Sequence, residues 1–310
     1  MENLIAIIDL GTNTFHLLIA EQDKKTYRII HREKQAVKIG AGGINQNTIS
    51  EAGLQRGIET IKNFRKTIDS FYINKIFAFG TSALRNATNQ KEVISKIKQE
   101  TRMEVSVISG DQEAEFIYWG IQSAMNLGQK KSLIMDIGGG SVEFIIGNEG
   151  ELFWKRSFEI GGQRLLERFQ KNDPIKTEEI YELDTYFESS LPELFTALDL
   201  HQPDTLIGSS GTFDTLSEIH CMKGNITRNF DDPEIPLTIK SFYGIYSELI
   251  TKNRVQRLAI PGMIEMRVDM IVVACCLIRF LLEKHHFRTI RVSSYSLKEG
   301  ALALLSQDFN

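Results

Sequence analysis

Alternating apolar and polar positions open the chain. "NLIAIID", "TFHLLIAEQ" and "TYRIIHREKQAVKI" each predict a strand. From about Thr48 to Asp69 the period lengthens, and Leu54, Ile58, Ile61 and Phe64 fall on one helical face. "NKIFAFGTSALRNA" reads as a buried strand entering a turn, Gln90 to Gln99 as a helix and "MEVSVIS" as a strand. Ser109 is placed to cap the next helix, with Gln112 completing a capping box. That helix runs to about Asn126, and "NLGQKK" reads as a crossover. The pattern then restarts with strands at Leu133 to Ile137, Ser141 to Gly147 and Glu151 to Phe158. Helices are expected near Gln163 to Gln170 and Thr177 to Leu198, followed by the strand "DTLIG" and a helix after Gly211. A polar loop around Gly224 to Pro236, a long helix from about Arg267 to His286, the strand "TIRVSS" and a last helix complete the chain. Alternating strands and helices predict α/β layers.

The restart is a repeat. Sliding the chain by 127 residues lays "IIDLGTNTFHLLI" on "IMDIGGGSVEFII", with Asp9 on Asp136, Gly11 on Gly138 and Thr14 on Ser141. So long a period predicts two related domains rather than a solenoid. We divide them at 1–125 and 126–310, with a cleft between and the last helix free to pack back on the first domain.

Composition narrows the classes. A formal charge of −4 gives no global basic field for nucleic acid, so a polyanion must be held by a local site. The N-terminus lacks a basic n-region, and the longest apolar run, Met270 to Ile278, stops at Arg279, well short of a membrane span. Cys221, Cys275 and Cys276 form no CxxC pair and read as buried thiols. The expectation is a cytoplasmic protein with neither nucleic-acid nor membrane partners.

The candidate chemistry lies in the two glycine turns. Glycine permits positive φ and close backbone approach, so successive N–H groups, with a hydroxyl of Thr12, Thr14 or Ser141, form a nest for phosphate oxygens. The turns lead into strands, unlike a dinucleotide fingerprint, and no Walker lysine follows. One such turn would equally be a plain hairpin; two, each preceded by an aspartate, favour a site. Asp9 and Asp136 end apolar strands and need a partner, which a hydrated divalent cation beside phosphate would supply. In "TLIGSSGTFDTL", Gly208, Ser209, Ser210, Gly211 and Thr212 join a strand to a helix and aim N–H donors at an anion. Arg85 follows a Thr-Ser pair and has a fork suited to phosphate. Asp111 and Glu115 read as helix-dipole compensation, His285 and His286 as helix-end cations, and His16 as a hydrogen-bonded core residue.

Taken together, "IDLGTNTFHLLI", "REK", "TSALRNATN", "ISGDQEAEFIYWG", "DIGGGSVEF", "GGQRL" and "GSSGT" resemble, in order, the exopolyphosphatase/guanosine pentaphosphate phosphatase family of the actin-like ATPase superfamily. The resemblance implies two ribonuclease-H-like domains with the active site in their cleft. It implies Glu113 as catalytic base and Arg85 as a phosphate ligand. Its phosphate-binding turns fall on Asp9 to Thr14 (Gly11, Thr12, Asn13 and Thr14), on Asp136 to Glu143 (Gly138, Gly139, Gly140 and Ser141), and on Gly208 to Thr212. Mg²⁺ or another divalent cation would sit near Asp136 and Glu143, with Asp9 as a further ligand. The substrate would be inorganic polyphosphate or, alternatively, guanosine pentaphosphate, and a homodimer is the oligomer to look for. A long chain would extend along Lys24, Lys25, Arg28, Arg32, Lys34 and Lys38.

Four departures accompany the match, the slightest being Thr12 where the family often has serine. "RVSSYSLKEG" stands where the family often has Asp-Gly, Ala274 where a glycine is frequent, and the chain ends at Asn310 without the C-terminal helical domains of longer members. Two rivals from other classes are an ATP-dependent kinase, for which no acceptor-base motif is found, and a non-catalytic nucleotide sensor, which would have no use for Glu113.

Overall fold

The structure, a computed structural model, describes residues 3–23, 26–229 and 232–307. The first half is a meander of β1 (Leu4–Leu10), β2 (Thr14–Asp23) and β3 (Thr26–Ala36), then α1 (Glu51–Ser70), β4 (Lys75–Gly80), α2 (Ser82–Asn86), α3 (Gln90–Thr101) and β5 (Val105–Val107). Its sheet runs β3-β2-β1-β4-β5, with β4 parallel to β1. Helix α4 (Gly110–Ala124) then leads to the second half. There β6 (Ser132–Ile137), β7 (Val142–Gly147) and β8 (Leu152–Phe158) repeat the meander, followed by α5 (Gly162–Phe169), α6 (Thr177–Ser190), α7 (Pro192–His201), β9 (Thr205–Ser209) and α8 (Ser210–Gly224). The rest is β10 (Glu234–Ile235), α9 (Ile239–Thr251), α10 (Arg254–Leu258), α11 (Ile271–Lys284), β11 (Thr289–Ser293) and α12 (Leu297–Gln307). The second sheet runs β10-β11-β9-β6-β7-β8, so apart from the short edge strand β10 the two halves share one strand order. The α/β class with two ribonuclease-H-like sheets is therefore the one observed.

Local chemistry explains most boundaries. Ser50 caps α1 by accepting from the Gly53 N–H, and Leu54, Ile58, Ile61, Phe64 and Ile68 are buried at helical spacing. Each such side chain taken from water contributes about 1.5–3 kcal/mol. The capping box of α4 is present: Ser109 Oγ accepts from Gln112 N at 3.1 Å, and Gln112 Oε1 accepts from Ser109 N at 3.0 Å.

Three expectations need correction. The single helix over Thr177 to Leu198 is two, because Pro192 has no N–H to donate and disfavours helical backbone at Leu191; it starts α7 instead. The long helix expected from Arg267 begins at Ile271, and Glu265–Arg267 form a separate 3₁₀ turn. Helices α9 and α10 were not anticipated, although Phe242, Ile245, Tyr246 and Leu249 give α9 a regular buried face. The three cysteines are free and buried. No helix among the described residues is long and apolar enough to cross a membrane.

Two helices join the halves. Ala114, Ile117, Tyr118 and Ile121 of α4 pack with Ile134 and Ile145 of the second sheet, while Ala301 and Leu302 of α12 pack with Ile5, Ile7 and Leu18 of the first. The helices cross at Gly120 and Gly300, where a Cβ on Gly300 would lie 1.6 Å from the Phe116 carbonyl oxygen. This crossing fixes the two helix N-termini, which carry Glu113 and Ser296.

Candidate active site

Strand register places the acids. In β1 and β2 Asp9 lies opposite His16, and in β6 and β7 Asp136 lies opposite Glu143. The turns that follow Asp9 and Asp136 face each other. A Cβ on Gly139 would lie 2.7 Å from Asn13 Nδ2, and one on Gly140 2.4 Å from Ser82 Oγ and 2.7 Å from Thr12 Oγ1. Close approach, rather than a left-handed backbone, is thus what glycine supplies: the positive-φ glycines among the described residues are Gly42, Gly128 and Gly262.

Asp9, Gly11, Thr12, Asn13, Thr14, Glu113, Asp136, Gly138, Gly139, Gly140, Ser141 and Ser210 all line one cleft with about 80 Å³ of free space. The third turn reaches it through Ser210 alone, which adopts φ 70°. Ser209 points to Asp136, Gly208 packs on the Phe213 ring, Gly211 lies beneath the Arg267 guanidinium, and Thr212 is buried. Glu143, 1% exposed, stands behind the cleft. Arg85 reaches in through an ion pair, its Nη1 lying 2.6 Å from Glu113 Oε2.

Electrostatics divide the four acids. Burial pushes Glu113 up to about 7 even though Arg85 opposes the shift. Burial, then the Glu113 charge, brings Asp9 to about 7. Glu143 is driven well above the carboxylate range by burial and by Glu113 and Asp136, while its Oε1 accepts from Ser141 and Ser157 Oγ, each at 2.7 Å. Asp136 Oδ2 accepts from three hydroxyls: Ser209 at 2.5 Å, Ser210 at 2.8 Å and Ser296 at 2.5 Å.

The residues fit a hard divalent cation in a restricted way. Asp9 Oδ1 is buried without a hydrogen-bond partner, a costly state that a cation or its water would relieve. Among the described residues no group of three His, Cys, Asp or Glu side chains is placed to hold a metal, so Asp9, Asp136 and Glu143 do not form a ready cage. Mg²⁺ commonly binds through one or two carboxylates plus waters and substrate phosphates, and this arrangement suits that mode.

Several cleft residues escaped the sequence reading. Arg267 lines the cleft with its Nε unpartnered, and Ser296, Thr81 and Ser82 also line it. An arginine at the edge of an apolar run and a serine before a helix were the available signals. His16 is corrected: half-buried, it makes no side-chain hydrogen bond among the described residues, and burial with Lys298, Lys34 and Arg267 nearby pulls its pKa well down. Of the basic stretch, Lys24 and Lys25 lie outside the described residues. Arg28 pairs with Glu21 at 2.7 Å and Lys38 lies 4.0 Å from Asp269, whereas Arg32 and Lys34 line a second cavity.

Comparison with known proteins identifies the family. An exopolyphosphatase of Cytophaga hutchinsonii, seen by crystallography, is 43% identical and superposes with a TM-score of 0.95, covering 98% of each chain. A Ppx/GppA protein of Aquifex aeolicus, 24% identical, shares the fold at a TM-score of 0.78 over 99% of this chain and 98% of its own. A guanosine-5'-triphosphate,3'-diphosphate pyrophosphatase of Photobacterium profundum is 28% identical over 96% of this chain, which spans 58% of that longer relative. Residues 18–307 match the model of the Ppx/GppA phosphatase family, and the chain belongs to that family.

Proposed function

We propose that the protein is an exopolyphosphatase that hydrolyses the terminal phosphoanhydride of inorganic polyphosphate and releases orthophosphate. The observation that carries this reading is Glu113, 7% exposed, paired with Arg85 in a cleft where two Asp-x-Gly turns face each other. A carboxylate with a pKa of about 7 is matched to removing a proton near neutrality.

The terminal phosphoryl lies between the Gly11–Thr14 and Gly138–Ser141 turns, whose N–H groups and hydroxyls meet its oxygens. Arg85 also reaches Glu159 at 3.2 Å and Ser157 at 3.4 Å, so its fork can turn to the phosphoryl while Glu159 holds its other edge. That movement frees Glu113 to orient a water and accept its proton. The water oxygen bonds to phosphorus as the bridging P–O bond breaks, and the electron pair leaves with the shortened chain. Arg267 adds positive charge to the cleft. A divalent cation beside Asp9 would supply further neutralisation of the phosphoryl oxygens.

The likeness to the Photobacterium profundum enzyme supports a second reading, removal of the terminal 5′ phosphate of guanosine pentaphosphate. Orthophosphate release is to be assayed on polyphosphates of several lengths, guanosine pentaphosphate and ATP, with and without Mg²⁺. Faster release from polyphosphate supports the first reading; release from guanosine pentaphosphate alone replaces it with the second.

A further inference from the structure

The motif "GGQRL", residues 161–165, opens α5 and lines no part of the cleft. It lies behind the Gly138–Ser141 turn, so closely that a Cβ on Gly161 would fall 2.5 Å from the backbone of Gly139 and Gly140. The N–H groups of Gly162, Gln163 and Gly161 donate to the carbonyls of Gly138, Gly139 and Gly140 at 2.9, 2.8 and 3.1 Å. Arg164 Nε is a second donor to the Gly140 carbonyl, at 2.9 Å. A trans peptide unit points its C=O and its N–H to opposite sides, and these units are trans. With all three carbonyls held toward α5, the N–H groups of Gly139, Gly140 and Ser141 face the other way, into the cleft that these residues line. Among the described residues none of the three has an internal hydrogen-bond partner.

The first half ties down its turn in the same way. The N–H groups of Val37 and Lys38 donate to the Asn13 carbonyl, each at 2.9 Å, and that of Gly40 donates to the Thr12 carbonyl at 3.2 Å. Thr12 and Asn13 are the repeat partners of Gly139 and Gly140. In both halves the chain leaving the third strand holds the carbonyls of the turn. One tie differs. In the first half all are backbone, whereas in the second one is the Arg164 side chain, which is 9% exposed and reaches across to the first half. Its Nη1 donates to the Ile44 carbonyl at 2.5 Å, and both Nη groups lie 3.4 Å from Asn47 Oδ1. Nη2 also donates to Glu159 Oε2 at 3.2 Å, the oxygen that accepts from Ser82 Oγ at 2.6 Å.

We propose that Arg164 is a positioning residue for phosphoryl transfer. By joining the Gly140 carbonyl to the Ile44 carbonyl of the other half, it aims the N–H groups of the second turn and fixes that turn's spacing from the first. The inference rests on the reading of the two turns as the cradle of the terminal phosphoryl. Arg164 itself touches no reacting atom. Donors fixed before the substrate arrives need no reorganisation as charge moves on the phosphoryl oxygens, so their aim matters more in the transition state than in binding. Without Arg164 the Gly140 carbonyl keeps the Gly161 N–H, so the turn still forms. What it loses is the anchor of its last peptide and of its close approach to Thr12 and Ser82.

The test compares Arg164→Ala and Arg164→Lys with Glu167→Ala, a control on the same helix. Glu167 accepts from the Gly42 N–H and from Asn45 Nδ2, each at 3.3 Å, and so joins the halves without touching the turn. Arg164→Ala should lower kcat on polyphosphate about 100-fold and raise KM only severalfold. Methylguanidinium, which can reach the emptied place through the cavity of about 180 Å³ beside Arg164, should restore part of that rate. Arg164→Lys keeps the charge, but one ammonium cannot span Gly140 and Ile44, so it should melt close to wild type and still lose rate. Glu167→Ala should keep the wild-type kcat. An unchanged kcat in the Arg164 variants, an equal loss in Glu167→Ala, or no rescue of folded Arg164→Ala would overturn the proposal; should Arg164→Ala fail to fold, Arg164→Lys decides alone. Pyrophosphate affinity is measured separately by calorimetry in Glu113→Gln protein with and without Arg164→Lys. If the wild type releases no orthophosphate from polyphosphate, the hydrolase reading falls and this affinity decides: a severalfold loss keeps Arg164 in its role, and an unchanged affinity removes it.

Discussion

Gly300 of α12 packs directly on the carbonyl of Phe116 in α4, at a distance no side chain could occupy. Each helix covers the sheet of the other half, so this contact sets where Glu113 and Ser296 enter the cleft. Gly300→Ala should therefore lower stability by about 3 kcal/mol, read from the urea midpoint, because the helices must separate to admit a methyl group. An unchanged midpoint would mean that the helices do not cross this closely.

Ser210 combines a left-handed backbone, φ 70°, with a 2.8 Å hydrogen bond to Asp136. Ser210→Gly relieves the backbone cost and loses the bond, whereas Ser210→Ala loses the bond and keeps the cost. The glycine variant should be the more stable of the two by about 1 kcal/mol. Both should turn over more slowly, since Asp136 loses a donor. Calorimetric melting of the pair, with activity measured alongside, checks both statements.

Glu113 gives stability a definite pH dependence. Its folded pKa, about 7, lies above the ordinary 4.5, so the native state holds a proton that the unfolded chain has released. Its contribution therefore favours the native state below about 4.5 and is lost as pH rises through 7. Activity moves the other way, because the base must be ionised, so kcat/KM should rise with pH and level off above about 7. Urea unfolding of cation-free wild type and Glu113→Gln across this range should show a shallower decline in the variant.

Much of this was legible in the sequence because it is written locally. Strand alternation and the Asp-x-Gly repeat placed both meanders, and the Ser109–Gln112 box fixed the start of α4. What escaped depends on distance or on tight turns. Ser296 looks like an ordinary helix start, and only folding brings it to Asp136, 160 residues away. Arg267 seemed to continue the apolar helix, but its 3₁₀ turn lays the guanidinium on Gly211. The glycines of the turns pointed to the site for an incomplete reason, since their need for space appears only when the two turns face each other. Three carboxylates at suggestive spacing read as a metal set, yet serine hydroxyls occupy one oxygen each of Asp136 and Glu143.

The central claim is that Glu113 activates the attacking water. Orthophosphate release from polyphosphate by Glu113→Gln, measured in a single turnover beside the affinity of the same protein for the chain, tests it most directly. The account predicts a rate lower by about 10²–10⁴-fold with affinity retained, because glutamine can still bond Arg85 but cannot take the proton. An unchanged rate, or a rate that falls only in step with lost binding, would contradict it.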